Sequence, residues 1–366
     1  MTGSNKEHIL VAVALALVVL TLFAITTFDG DTDNKQPVKI GLVLTGSKND
    51  EGWNGKQYAA MQKVCAKYGL TLLVKEYIAE NTGDCPRAIQ DLARDGAGMI
   101  FLSSFAYPEE AKTVVGRYPH IAFGTNSAEY TAKNMSAYFA RLYQTRYLSG
   151  IIAGMRTQTN VLGYVAAMPN AEVNRGINAF ALGAQSVNPT VKVIVIYTGS
   201  WQDEAREKSA ATRLVQEAGA DVLTYHQNQN NVADVAELLG VDFIGYHEAF
   251  DKYSAHCLTS VVCRWEAYYG NIVERYLRGA MNSDPVNWLG IERDVIYLSR
   301  YSDRVTEPMR GKVERARQNM LDGYLIFSGE IYDNRGRLRC EADEALSDGI
   351  LLKQVDWLVK GVEVLD

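Results

Sequence analysis

The sequence predicts an α/β protein built from two doubly wound parallel-sheet lobes, on three observations. The chain has 366 residues, more than a single hydrophobic core usually serves. Short apolar runs rich in β-branched residues alternate with amphipathic helical segments along most of its length. The alternation occurs as two successive series, with no close sequence repeat linking them.

The first element precedes both series. Ile9 to Phe28 is a run without charge, about long enough to cross a bilayer as a helix. It ends in Thr26, Thr27 and Phe28, a poor cleavage site, and no cysteine follows to carry a lipid. It reads as an uncleaved signal anchor that holds the body on the outer face of the membrane; a cleaved export signal is the alternative. The polar residues Asp29 to Pro37 read as a linker.

Val38 to Leu44 then suits a buried parallel strand, and Trp53 to Tyr68 a helix ended by Gly69. Strand Thr71 to Glu76, helix Pro86 to Asp95 with Asp84 as its cap, strand Met99 to Leu102, helix Pro108 to Arg117 and strand Ile121 to Gly124 follow. After Asn134 the second series runs: helix Tyr138 to Met155, strand Val161 to Ala166, helix Val173 to Val187 and strand Val191 to Tyr197. Helix Glu204 to Ala218, strand Asp221 to Tyr225, a short helix near Val235 and strand Phe243 to Tyr246 complete it.

Ligands of parallel α/β sheets bind outside the carboxyl ends of the strands. Seven loops occupy those ends: Thr45 to Trp53, Ser103 to Tyr107, Thr125 to Asn134, Ala167 to Asn174, Thr198 to Asp203, His226 to Asn230 and Tyr246 to Asp251. They are rich in Asn, Asp, Tyr and Trp, and line one cleft if the two sheets face each other.

Composition narrows the function. A net charge of −6 argues against nucleic acid as partner. No nucleophile elbow, HExxH, phosphate-binding loop or dinucleotide fingerprint is present, and the histidines have no evident nucleophile beside them, so no enzyme activity and no cofactor are expected. No Cys/His cluster has zinc spacing. Of the five cysteines, Cys65 and Cys85 either bridge or remain separate thiols, and Cys257 with Cys263 present the same choice.

Several segments in fixed order resemble a known family. They are Asn49-Asp50-Glu51-Gly52-Trp53-Asn54; Asn134 through Tyr138-Phe139 to Arg146-Tyr147-Leu148-Ser149-Gly150-Ile151-Ile152-Ala153-Gly154; Met168-Pro169 with Glu172-Val173-Asn174-Arg175 and Ile177-Asn178-Ala179-Phe180; and Trp201 through Lys208. Gly219-Ala220-Asp221-Val222, Leu258 through Val262, and Leu346-Ser347-Asp348-Gly349 with Asp356-Trp357 extend the match over nearly the whole body. The chain is similar to the basic membrane protein family of substrate-binding proteins, which includes purine nucleoside receptors of ABC transporters.

The resemblance implies a type I periplasmic binding protein fold, two lobes joined by three crossovers near Asn126 to Asn134, Tyr246 to Cys257 and Asp284 to Gly290. Lobe I would comprise residues 37–134 and 257–286, lobe II residues 135–256 and 287–366, after an N-terminal segment of residues 1–36. A helix from Thr259 to Arg278 would return to lobe I. The implied function is capture of a purine nucleoside or nucleobase by hinge closure and delivery to an ABC permease. A membrane-anchored ligand sensor and a nucleoside-cleaving hydrolase are the rival readings.

By motif position, Trp53 and Trp201 would stack on the ligand, and Asp50 and Asn54 would hydrogen-bond it; Tyr107, Asn134, His226 and His247 would be polar or rim contacts. Each has a structural reading beside this one: half-buried packing for the tryptophans, helix capping for Asp50 and Asn54. The chain departs from the family pattern at Glu204 and Glu330, where proline is common, and at Gly245-Tyr246-His247, where His247 replaces an aspartate.

Overall fold

A computed structural model describes residues 38–50, 52–127, 130–247, 256–280 and 286–366. The chain divides into two units, Met1–Val38 and Lys39–Asp366, and the fold described is that of the second. The apolar run Ile9 to Phe28, read as a signal anchor, lies outside the described residues. Among the described residues, no helix is long and apolar enough to cross a membrane.

The first series forms β1 (Lys39–Val43), α1 (Trp53–Tyr68), β2 (Thr71–Lys75), α2 (Asp84–Arg94), β3 (Ala97–Leu102), α3 (Tyr107–Ala111), β4 (Ala122–Thr125) and β5 (Met135–Ala140). The second runs α4 (Leu142–Arg156), β6 (Val161–Ala166), α5 (Ala171–Gln185), β7 (Lys192–Tyr197), α6 (Glu204–Gln216), β8 (Val222–His226), α7 (Asn231–Leu239), β9 (Asp242–Tyr246) and β10 (Cys257–Cys263). The chain closes with α8 (Trp265–Leu277), β11 (Val286–Leu289), β12 (Ile296–Leu298), α9 (Glu307–Leu321), the hairpin β13 (Ile331–Tyr332) and β14 (Leu338–Cys340), α10 (Asp348–Lys353) and β15 (Val362–Val364).

The strands form two large sheets, ordered β11-β5-β4-β3-β1-β2 and β12-β10-β9-β8-β6-β7-β15. In each, the second strand of its series lies outside the first and the later strands lie on the other side, except that β15 adds to β7 at the outer edge of the second sheet. Every pairing in the two sheets is parallel except that of β10 with β12. This is the doubly wound arrangement predicted, and it places a switch point beside β1 in one sheet and β6 in the other.

Three expectations are corrected. Residues 135–140 are a strand of the first sheet, where a helix from Tyr138 was expected, so the first lobe extends to Ala140 rather than residue 134. Residues 257–263 are a strand of the second sheet and not the start of a helix from Thr259, so they belong to lobe II. The helix that follows, α8, does return to lobe I, packing on α1. The crossovers therefore follow β5, β10 and β11, each a short step after a strand. The third correction is smaller: Gly83, not Asp84, caps α2.

Lobe II owes its tight packing to glycine. A Cβ on Gly150 of α4 would lie 2.1 Å from the Phe180 carbonyl oxygen of α5, and one on Gly183 would lie 2.0 Å from that of Tyr147. The two helices meet backbone to backbone, which only glycine permits. Three polar residues of α5 hold the C-terminal segment. Asn174 donates to the carbonyl of Val355 (3.1 Å) and Asn178 to that of Trp357 (3.0 Å), while Arg175 donates to Leu351. The segment of matching residues at 174–178 is thus a clamp for the C-terminus.

All five cysteines are free thiols. Cys65 packs in the main core and Cys85 in the separate cluster between α2, α3 and the first sheet, so they do not bridge.

Candidate functional site

A cavity of about 330 Å³, open to solvent, lies between the lobes. It is lined by Trp53, Ser103, Ser104, Phe105, Asn126, Glu172, Trp201, His226, Asn228 and Tyr246. All seven strand-end loops contribute, which is the convergence expected if the carboxyl edges of the two sheets face each other.

Trp53 opens α1 and its indole Nε1 donates to the carbonyl of Ser103 at 2.8 Å, which fixes the ring against the end of β3. Trp265 packs edge-on against it at 5.2 Å between centroids, and His247 lies tilted at 5.8 Å. On the other lobe Trp201 sits 5.9 Å from the His226 ring, which in turn meets Tyr246 edge-on at 5.1 Å. The two half-buried tryptophans thus reach one cavity from opposite lobes, each braced by further rings.

The lobes are in contact across the cleft. The amide of Trp53 donates to the carbonyl of Asn228 (3.1 Å), and the amide of Asn228 donates to the carbonyl of Trp201 (2.9 Å). A Cβ on Gly52 would fall 1.6 Å from that Asn228 oxygen, so this approach requires glycine.

The polar groups are buried. Arg146 donates to Thr224 (3.1 Å) and to the carbonyl of Tyr225 (2.8 Å), and its guanidinium lies 4.7 Å from the centre of the Tyr246 ring. Burial, followed by the positive charge of Arg146, holds His226 neutral, well below the usual imidazole range. Burial likewise pushes His247 down to about 3. Glu172, in the first turn of α5, is pushed up to about 7 by burial, partly offset by Arg175. The Glu172 carboxylate lies 3.9 Å from Nε2 of His226. Among the described residues, Oδ1 of Asn126, Nδ1 of His226 and Nε2 of His247 are buried without a hydrogen-bond partner. Buried polar atoms of this kind can hydrogen-bond a bound molecule or a water.

Of the eight site residues expected from sequence, Trp53, Trp201 and His226 line this cavity. His247 lies behind Trp53 and lines an adjoining groove with Lys56, Arg264 and Trp265. The other four serve the fold. Asp50 accepts from the amides of Gly52 (3.1 Å) and Gly55 (2.6 Å), and the Asn54 amide donates to Asp50 (2.8 Å), so both shape the loop that carries Trp53. The Tyr107 hydroxyl donates to the carbonyl of Ile78 (2.5 Å) inside the core of lobe I. Asn134 donates to the carbonyls of Val115, Tyr118 and Ile121, at 3.0 to 3.1 Å. Short polar side chains near strand ends more often satisfy their own backbone than a ligand. Glu172 and Asn126, which do line the cavity, were in the strand-end loops but not singled out.

A family model described as "ABC transporter substrate-binding protein PnrA-like" (Bmp) matches residues 37–334. The chain belongs to the Bmp family. The family is one of ABC transporter substrate-binding proteins. It is 31% identical over 338 residues to a purine-binding protein of Brucella abortus, covering 91% of this chain and 95% of that one. It is 30% identical over 341 residues to a Haloferax volcanii protein provisionally named an ABC transporter glucose-binding protein, covering 92% and 83% of the two chains. A solute-binding protein of an ABC transporter system from Aeropyrum pernix K1 superposes with a TM-score of 0.69 at 16% identity, over 78% of this chain and 92% of that one. At that identity the superposition establishes the fold, a Bmp body of two facing α/β lobes.

Proposed function

We propose that this Bmp protein captures a purine base or nucleoside outside the cytoplasm and delivers it to an ABC permease. One observation carries the reading: Trp53 of one lobe and Trp201 of the other line the same small cavity. Ring stacking contributes about 1–3 kcal/mol per aromatic partner, and two partners on opposite lobes couple that gain to closure. The purine-binding relative supports the same class.

The test is calorimetry of the purified protein with adenine, adenosine, guanosine and glucose. A purine ligand should bind, and Trp201→Ala should weaken it by roughly five- to 150-fold, the equivalent of one stacked ring. Unchanged affinity in that variant, or binding of glucose with no purine bound, overturns the reading.

A further inference from the structure

We infer that Glu172 is the specificity-determining residue of this cleft, its carboxyl group reading a base edge on which a hydrogen-bond acceptor adjoins a donor. The inference rests on the purine reading above and names the face of the purine that the site selects.

Glu172 lines both the main cavity and a smaller void formed with Trp53, Asn126, Phe139, Ala140, Leu142 and Trp265. Glu172 therefore borders both of the spaces that Trp53 borders. Among the described residues it makes no hydrogen bond; its nearest charged or ionisable partner is His226, at 3.9 Å. Arg175, three residues on, turns its guanidinium to the carbonyls of Leu351 and Ala171 instead. Flanking Glu172 in the cavity, Asn126 and His226 are over nine-tenths buried, and each leaves one polar atom unpaired.

The protonation state follows from what surrounds the group. His226, at the end of β8, stays neutral and supplies no cation. Arg175 on the same helix draws the carboxyl down, while the Glu80 carboxylate, from the loop after β2, pushes it up. Arg146 from α4 is engaged with Thr224, Tyr225 and the Tyr246 ring. Burial outweighs these charges, and the carboxyl titrates near neutrality, at about 7.

The two forms of the group recognise different edges. A neutral carboxyl offers one donor beside one acceptor, and matches the ring nitrogen and amino group of adenine. A carboxylate offers two acceptors, and matches the adjacent N–H groups of guanine. The neutral form also avoids a bare charge in a desolvated cleft.

The experiment is calorimetry of adenine binding to the wild type, Glu172→Gln and Glu172→Ala, at about pH 6 and about pH 8.5. Wild-type affinity should fall roughly 30-fold between those values, as the carboxyl loses its proton. Glu172→Gln keeps a donor beside an acceptor at every pH, so it should match the wild type at the lower value and lose the slope. Glu172→Ala should bind at least tenfold more weakly at the lower value. A flat wild-type profile, or a Gln variant as weak as the Ala variant, overturns the inference. Guanosine bound while adenine is not also overturns it but leaves the purine reading standing; no purine bound at either pH removes that reading itself.

Discussion

The backbone amide of Trp53 donates to the carbonyl of Asn228 across the interlobe cleft, at 3.1 Å. Asn228 in turn donates to Trp201, so one backbone unit links the two residues proposed to hold the ligand. Asn228 thus ties the loops that carry the two rings together in this arrangement of the lobes. The contact leaves no space for a side chain at residue 52, where a Cβ would collide with Asn228.

Gly52→Ala should for that reason hold the lobes apart. Ligand affinity should drop on the order of tenfold or more, since both the interlobe hydrogen bond and the paired stacking are lost. Small-angle scattering should show a ligand-induced compaction in the wild type that is absent from the variant. Equal compaction in both would show that the collision is relieved without cost.

Asn134→Ala should separate structure from binding. Its amide supports three carbonyls in the segment before β4. Removing it should cost about 1–3 kcal/mol in denaturant unfolding while ligand affinity stays the same. A loss of affinity without a loss of stability would return Asn134 to the site.

Acid should destabilise the fold through its buried histidines. His226 and His247 are held below the ordinary imidazole value, chiefly by burial. Their contribution is complete above about pH 6.5, the value in the unfolded chain, and is lost as pH falls, for His247 down to about 3. Each should remove at most about 1.4 kcal/mol per pH unit in that window. His247 has a positive φ of 68°, which asparagine tolerates, so His247→Asn should flatten part of the slope measured by urea unfolding.

The thiols should be inert to reductant. With Cys65 and Cys85 in separate clusters and all five cysteines free, Tm should be the same with and without dithiothreitol. Titration of the denatured, unreduced protein should find five thiols, and any smaller number would indicate a bridge.

Much of the lobe architecture was legible because local chemistry marks it. Helix α1 begins at Trp53 and stops at Gly69 as read from sequence, and Asp203 caps α6 by accepting from the Arg206 amide at 3.0 Å. The two misread strands show where that chemistry ends. Met135–Ala140 is buried at every position and Cys257–Cys263 at all but its last, so neither carries the alternation that marks a half-exposed strand. A fully buried run looks alike to periodicity whether it is strand or helix.

At the site, sequence by itself located the seven strand-end loops and, by resemblance, put Trp53 and Trp201 forward from them; that the loops line one cleft depended on the two sheets facing each other. Only the tertiary structure decided which polar residues face the cavity. Asp50, Asn54, Tyr107 and Asn134 each had a backbone or loop partner within reach and took it. Glu172, in the first turn of α5, has no such partner among the described residues and lines the cavity. A loop side chain turns toward the nearest unsatisfied group, and for these residues that group is set by packing between segments distant in sequence.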